Sequence, residues 1–185
     1  MILKMPVLLT NFILFQIGWF ACVLGGANSL PWIGTLTACL IVSYHIYRSN
    51  QPDRELLLIA LAIIIGAIWD SILVWMQLLS YPSGMWSENL APHWIIALWA
   101  LFATTLNVSL NWLKGRWVIA VISGAIAGPL AYYAGHRLGA VFFTDTSTAL
   151  LYLGAGWAVF VPLLLWLAQR LDGYDHLPNH QRVGA

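Results

Sequence analysis

Apolar residues run along this chain in six long stretches, at 6–26, 31–47, 56–80, 92–113, 117–136 and 148–169. Short segments rich in turn-forming or charged residues separate them, at 27–29, 48–55, 81–91, 114–116 and 137–145. About 20 consecutive apolar residues cross the hydrocarbon core of a bilayer, so the pattern predicts six transmembrane helices, the second of them short. Pro31 and Pro92 stand where a first helical turn accepts proline. The first stretch, preceded by Lys4, has the outline of a signal peptide. Its apolar core is too long for one, however, and Asn11 and Gln16 interrupt it, so it reads as a retained helix.

Composition agrees. Of 185 residues, 61% are hydrophobic and 8% charged, where soluble domains carry roughly 25% charged residues. A chain so poor in charge cannot cover a water-facing surface, so lipid is most of its solvent. A net charge of +1 leaves no basic footprint for nucleic acid. Cys22 and Cys39 lie inside apolar stretches and read as small core residues. The expected organisation is one transmembrane domain over 1–171, then a polar cytoplasmic tail over 172–185 that frays.

Charge placement orients the bundle. Six crossings put Lys4, Arg48, Arg54, Lys114, Arg116, Arg170 and Arg182 on one side and Arg137 alone on the other. This bias predicts that both termini are cytoplasmic. Trp32, Trp86 and Trp94 then suit the outer interface, and Trp112 and Trp117 the inner one.

Within the helices, small and polar residues recur at helical spacing and mark faces that turn toward protein. The fourth stretch shows His93, Ala97, Ala100, Thr104, Asn107 and Asn111 on one face, with Trp, Leu, Ile and Phe between them as candidates for lipid contact. The third offers Gly66, Asp70, Leu73 and Gln77, the first Asn11, Phe15, Gly18, Cys22 and Gly25 with Gln16 to one side. The fifth offers Gly124, Gly128, Ala131, Gly135 and Gly139, a pattern expected to serve packing within the bundle. Pro129 and Pro162 interrupt the fifth and sixth helices and read first as kinks.

Asp70 is the one charged residue in the run 56–80. A carboxylate at mid-helix costs about 2.5–3.5 kcal/mol on insertion scales, so such a group is expected to be paired or functional. At 1.5 Å per residue it lies about 21 Å along its stretch, in the outer half. His93, His136, Arg137, Glu88 and Asn28 fall at a similar level. Three readings compete for this cluster. Asp70 or Glu88 pairs with Arg137 as a structural bridge. Asp70 and the histidines act as general acid and base on a lipid headgroup or acyl ester. Or Asp70, His93, His136 and Glu88 hold a metal, although no local ligand spacing supports one. His45 reads as interfacial.

Several stretches resemble a known family: NFILFQIGWF at 11–20, GAIWD at 66–70, APHWIIALWALFATTL at 91–106 and GPLAYYAGHRLGA at 128–140. They are similar to a bacterial multi-pass inner-membrane family catalogued as domain of unknown function 2878, over nearly the whole chain from Asn11 to Leu171. The resemblance implies a bacterial inner-membrane location. It also implies a link to membrane lipids, because genes of such members neighbour fatty-acid-modifying enzymes resembling cyclopropane synthases. It assigns no catalytic residue and no cofactor. An echo between GAIW at 66–69 and GAGW at 154–157 fits an inverted repeat of three helices, whereas the echo between 31–33 and 92–95 does not.

The expectation is therefore an all-α polytopic bundle of six transmembrane helices with a lipid-related role, as an enzyme or an accessory to one. Asp70, His93 and His136 are the candidate catalytic groups. Arg137, Glu88, Asn28, Gln77 and Asn107 are the candidate binding groups, with Arg137 anchoring an anionic headgroup. The alternatives are a small proton-coupled transporter with Asp70 as its titrating group, and a structural subunit that packs against a partner enzyme in the membrane.

Overall fold

The computed structural model describes residues 4–174. Six helices follow in order: α1 Lys4–Ala27, α2 Pro31–Arg48, α3 Pro52–Trp75, α4 His93–Leu106, α5 Trp117–Arg137 and α6 Thr146–Arg170. Local chemistry sets their ends. Pro31 and Pro52 open α2 and α3 at the position where a missing N–H is not needed. Asp145 caps α6 by accepting from the Thr148 N–H at 2.7 Å. That hydrogen bond holds its exposed carboxyl below the usual carboxylate range. Ser29 turns the chain out of α1 with φ 60, while the Asn28 amide donates to the Leu24 carbonyl at 2.8 Å.

The long runs α1, α3, α5 and α6 are each long and apolar enough to cross a membrane, and the chain is a multi-pass membrane protein. α2 and α4 fall outside that set. α4 has 14 residues, about 21 Å at 1.5 Å per residue, against a hydrocarbon core about 30 Å thick. It stops at Leu106 because Asn107 turns into a short 3-10 segment at Asn111–Leu113, so the single helix expected over 92–113 is broken.

α4 is the axis of the fold. It packs on α1, α2, α3 and α6, while α5 packs chiefly on α6. Trp94, Ile95, Trp99, Leu101, Ala103 and Leu106 are buried along with the small and polar face. The lipid exposure expected for the large residues of this helix is thus wrong. A helix apolar all round belongs inside a bundle, and that was the signal its composition carried.

The small-residue faces explain the close approaches. A side chain at Gly34 would meet the Cys22 backbone at 2.4 Å, and one at Gly128 the Trp157 ring at 2.2 Å. The fifth helix therefore uses its glycines to seat α6. At one end of the bundle Leu79–Ser80 pairs antiparallel with Phe142–Phe143 and ties the α3–α4 loop to the α5–α6 loop. At the other end the segment after α6 straps the bundle. The Gly173 carbonyl accepts from the N–H groups of Asn50 and Gln51 at 2.8 and 3.0 Å, and Lys114 pairs with Asp172 at 2.8 Å. Residues 172–174 are thus pinned, contrary to the fraying expected of them, and 175–185 lie outside the described residues.

Candidate functional site

Asp70 is fully buried on the inward face of α3, in register with Ala62, Gly66 and Leu73. Its partners are neutral. The Trp99 indole N–H donates to Oδ2 at 2.6 Å, and the Tyr132 hydroxyl donates to Oδ1 at 2.5 Å. The bridge to Arg137 expected from charge alone is absent among the described residues. Arg137 closes α5 as an exposed side chain, and Glu88 is exposed on its loop, with no ion pair at either among the described residues. The carboxylate is instead satisfied by aromatic donors from α4 and α5, which costs no desolvation of a second charge.

Gly66 makes this arrangement possible. A Cβ there would lie 2.0 Å from the Trp99 ring, so the indole lies directly over the helix backbone one turn from Asp70. Trp99 also stacks on Trp157 of α6, with ring centroids 4.7 Å apart and planes 10° apart.

The other predicted site residues go elsewhere. His93 is buried at the start of α4, its Nδ1 2.7 Å from the Thr35 hydroxyl, and its ring stacks with Trp32 and Trp86. His136 Nδ1 donates to the Val141 carbonyl at 3.0 Å, and its ring stacks on Phe143. Asn28 caps α1. Gln77 lies beyond α3 in a left-handed turn, φ 59, exposed and off the face assigned to it. Among the described residues no three of His, Cys, Asp and Glu gather closely enough to hold a metal. The polar pocket expected from depth alone is not assembled, because each residue is absorbed by its own local partners.

Asn107 belongs to a second polar cluster that the chain pattern concealed. Glu55, fully buried in the first turn of α3, accepts from His45 Nε2 at 2.8 Å, Asn107 Nδ2 at 2.6 Å and the Gly173 N–H at 2.9 Å. The Tyr174 hydroxyl donates to the His45 carbonyl at 2.6 Å. Burial, and then the Glu55 charge, push that phenol up, which keeps it a donor. His45 is therefore a buried link rather than an interfacial residue. This cluster fastens the strap at the far end of the bundle from the β bridge.

What Trp99 and Tyr132 line is a cavity of about 520 Å³ between α1, α4, α5 and α6. Its floor is α4, and its walls include Phe15 and Trp19 of α1, Tyr132 of α5 and Trp157 of α6. Phe12 of α1 and Leu130 of α5 form its rim and are 53% and 60% exposed, so the cavity opens sideways between those two helices. From Phe12 to Val23 it runs about 16 Å at 1.5 Å per residue. No charged side chain lines it among the described residues. The site is thus an apolar lateral groove whose back wall is held by a buried carboxylate. Gln16, an interruption in the first apolar run, was a signal of it in the sequence.

A family described as a protein of unknown function, DUF2878, matches residues 8–163. No curated protein and no solved structure matches the chain.

Proposed function

The chain belongs to the DUF2878 family, whose description carries no activity, and from its own geometry we propose that it is a bacterial inner-membrane protein that binds one acyl chain of a phospholipid. The observation that carries this reading is the lateral groove, with its apolar lining and its exposed rim at Phe12 and Leu130. An apolar cleft open to the side in a bilayer is bathed in hydrocarbon, and its volume falls within the range of small-molecule sites. With no charge on its walls, it suits a chain and leaves the headgroup outside.

In this reading all six helices traverse the membrane, with 107–113 carrying α4 to the surface and both termini on the cytoplasmic side. The basic residues near the strap support that side, where Arg116 lies over Trp112 at 5.6 Å and Arg170 over Trp166 at 5.2 Å. Asp70 is a positioning residue that fixes Trp99 and Tyr132. A lipid carrier or an accessory to a lipid-modifying enzyme fits this better than a proton-coupled transporter, since both Asp70 oxygens are already engaged.

Filling the groove tests the proposal. Leu98 lines the cavity from α4, and Leu98→Trp places an indole where the chain would lie. Protein delipidated in detergent and re-exposed to phosphatidylglycerol is expected to retain lipid stoichiometrically by mass spectrometry. Leu98→Trp, eluting as a folded species, is expected to retain at least about tenfold less, a loss of about 1.4 kcal/mol. Equal retention overturns the proposal.

A further inference from the structure

A polar side chain in the groove lacks a hydrogen bond among the described residues. Gln16 lines it from α1, and its amide makes no hydrogen bond among the described residues. Several neighbouring polar groups are engaged. Ser109 donates to Asn11 at 2.7 Å, Thr105 to the Phe102 carbonyl at 2.6 Å and Trp94 to the Ser83 carbonyl at 3.1 Å. Trp99 and Tyr132 are committed to Asp70.

A second unmatched group stands about one turn further along α1. The Trp19 indole also lines the groove, and its N–H makes no hydrogen bond among the described residues. Gln16 lies near the middle of α1. Along the groove Gln16 is about 10 Å from the Val23 end and about 6 Å from the Phe12 end. An amide and an N–H without partners in hydrocarbon are costly, and no water is at hand to satisfy them.

We propose that the groove selects a phospholipid chain bearing one oxygen part-way along its length, as a hydroxyl or a ketone. The inference rests on the groove being an acyl-chain site. A mid-chain hydroxyl donates to the Gln16 carbonyl oxygen or accepts from the Gln16 amide N–H. A plain chain leaves the Gln16 amide unmatched. A charged group at this depth would find no counter-charge on the walls.

The test compares phosphatidylglycerol carrying stearoyl chains with phosphatidylglycerol carrying 10-hydroxystearoyl chains, competed for the full-length protein in detergent and read by mass spectrometry. The expected preference for the hydroxylated lipid is about threefold to tenfold, the value of one hydrogen bond in apolar surroundings. Gln16→Leu is expected to lose the preference, so that it retains the two lipids equally. Equal retention of the two lipids by the unaltered protein, or a preference that survives Gln16→Leu, overturns the inference and leaves the groove reading standing. Failure to retain either lipid overturns the groove reading itself.

Discussion

Asp70→Ala is expected to lower stability by about 2–6 kcal/mol, because it strands two buried donors at about 1–3 kcal/mol each. The Trp99 N–H and the Tyr132 O–H both end on this carboxylate, and hydrocarbon offers no substitute acceptor. The cost has a second consequence. Trp99 and Tyr132 are walls of the groove, so their release loosens the cavity and weakens lipid retention together with stability. Asp70→Asn separates the two effects. A carboxamide keeps one acceptor and places a donor against the other aromatic, so it is expected to lose roughly half as much. Thermal unfolding in detergent, followed alongside bound phospholipid, checks both. An Asp70→Ala protein as stable as the parent would contradict the assignment of Trp99 and Tyr132 as its partners.

Glu55→Ala is expected to cost about 3–5 kcal/mol, the usual penalty for removing one member of a buried hydrogen-bonded pair. Three donors from three parts of the chain lose their acceptor: His45 of α2, Asn107 after α4 and Gly173 of the strap. The strap should detach, and with it the bonds that the Asn50 and Gln51 N–H groups make to the Gly173 carbonyl. Hydrogen exchange at 50, 51 and 173 is the readout, and it should accelerate in Glu55→Ala while exchange in the middle of α6 changes less. Unchanged protection at those amides would show that the strap is held by something other than Glu55.

Helix positions were largely legible because hydropathy and turn chemistry agree. The stretch read at 31–47 is α2, Pro31–Arg48, and the stretch at 117–136 is α5, Trp117–Arg137. The third helix shows where that logic fails. Asp53 and Glu55 look like a polar break, yet Pro52 starts the helix and its first turn takes Glu55 into the interior. A buried carboxylate at a helix start reads as a surface charge until its donors are known, and those lie 10, 52 and 118 residues away.

Asp70 was legible as an inward-facing group, because the 3.6 period carries Gly66 and Leu73 with it. Its partners were not. Charge complementarity favoured Arg137, but a tryptophan and a tyrosine at the right depth satisfy a carboxylate without a second ion, and nothing in their spacing distinguishes them from the other aromatics. The groove was hidden for a related reason: it is made by four helices, and each contributes residues that read individually as lipid-facing or as packing. Gln16 is the exception, visible from the start as an interruption in an apolar run.

Site-resolved photo-crosslinking with a phosphatidylglycerol whose acyl chain carries a diazirine tests the central claim most directly. If the groove holds a chain, adducts concentrate on peptides covering 12–23 of α1 and 127–135 of α5, and Leu98→Trp removes them. Adducts spread evenly over outward faces such as Leu36 and Leu40 of α2, exposed as these are, and unchanged in Leu98→Trp, would contradict it.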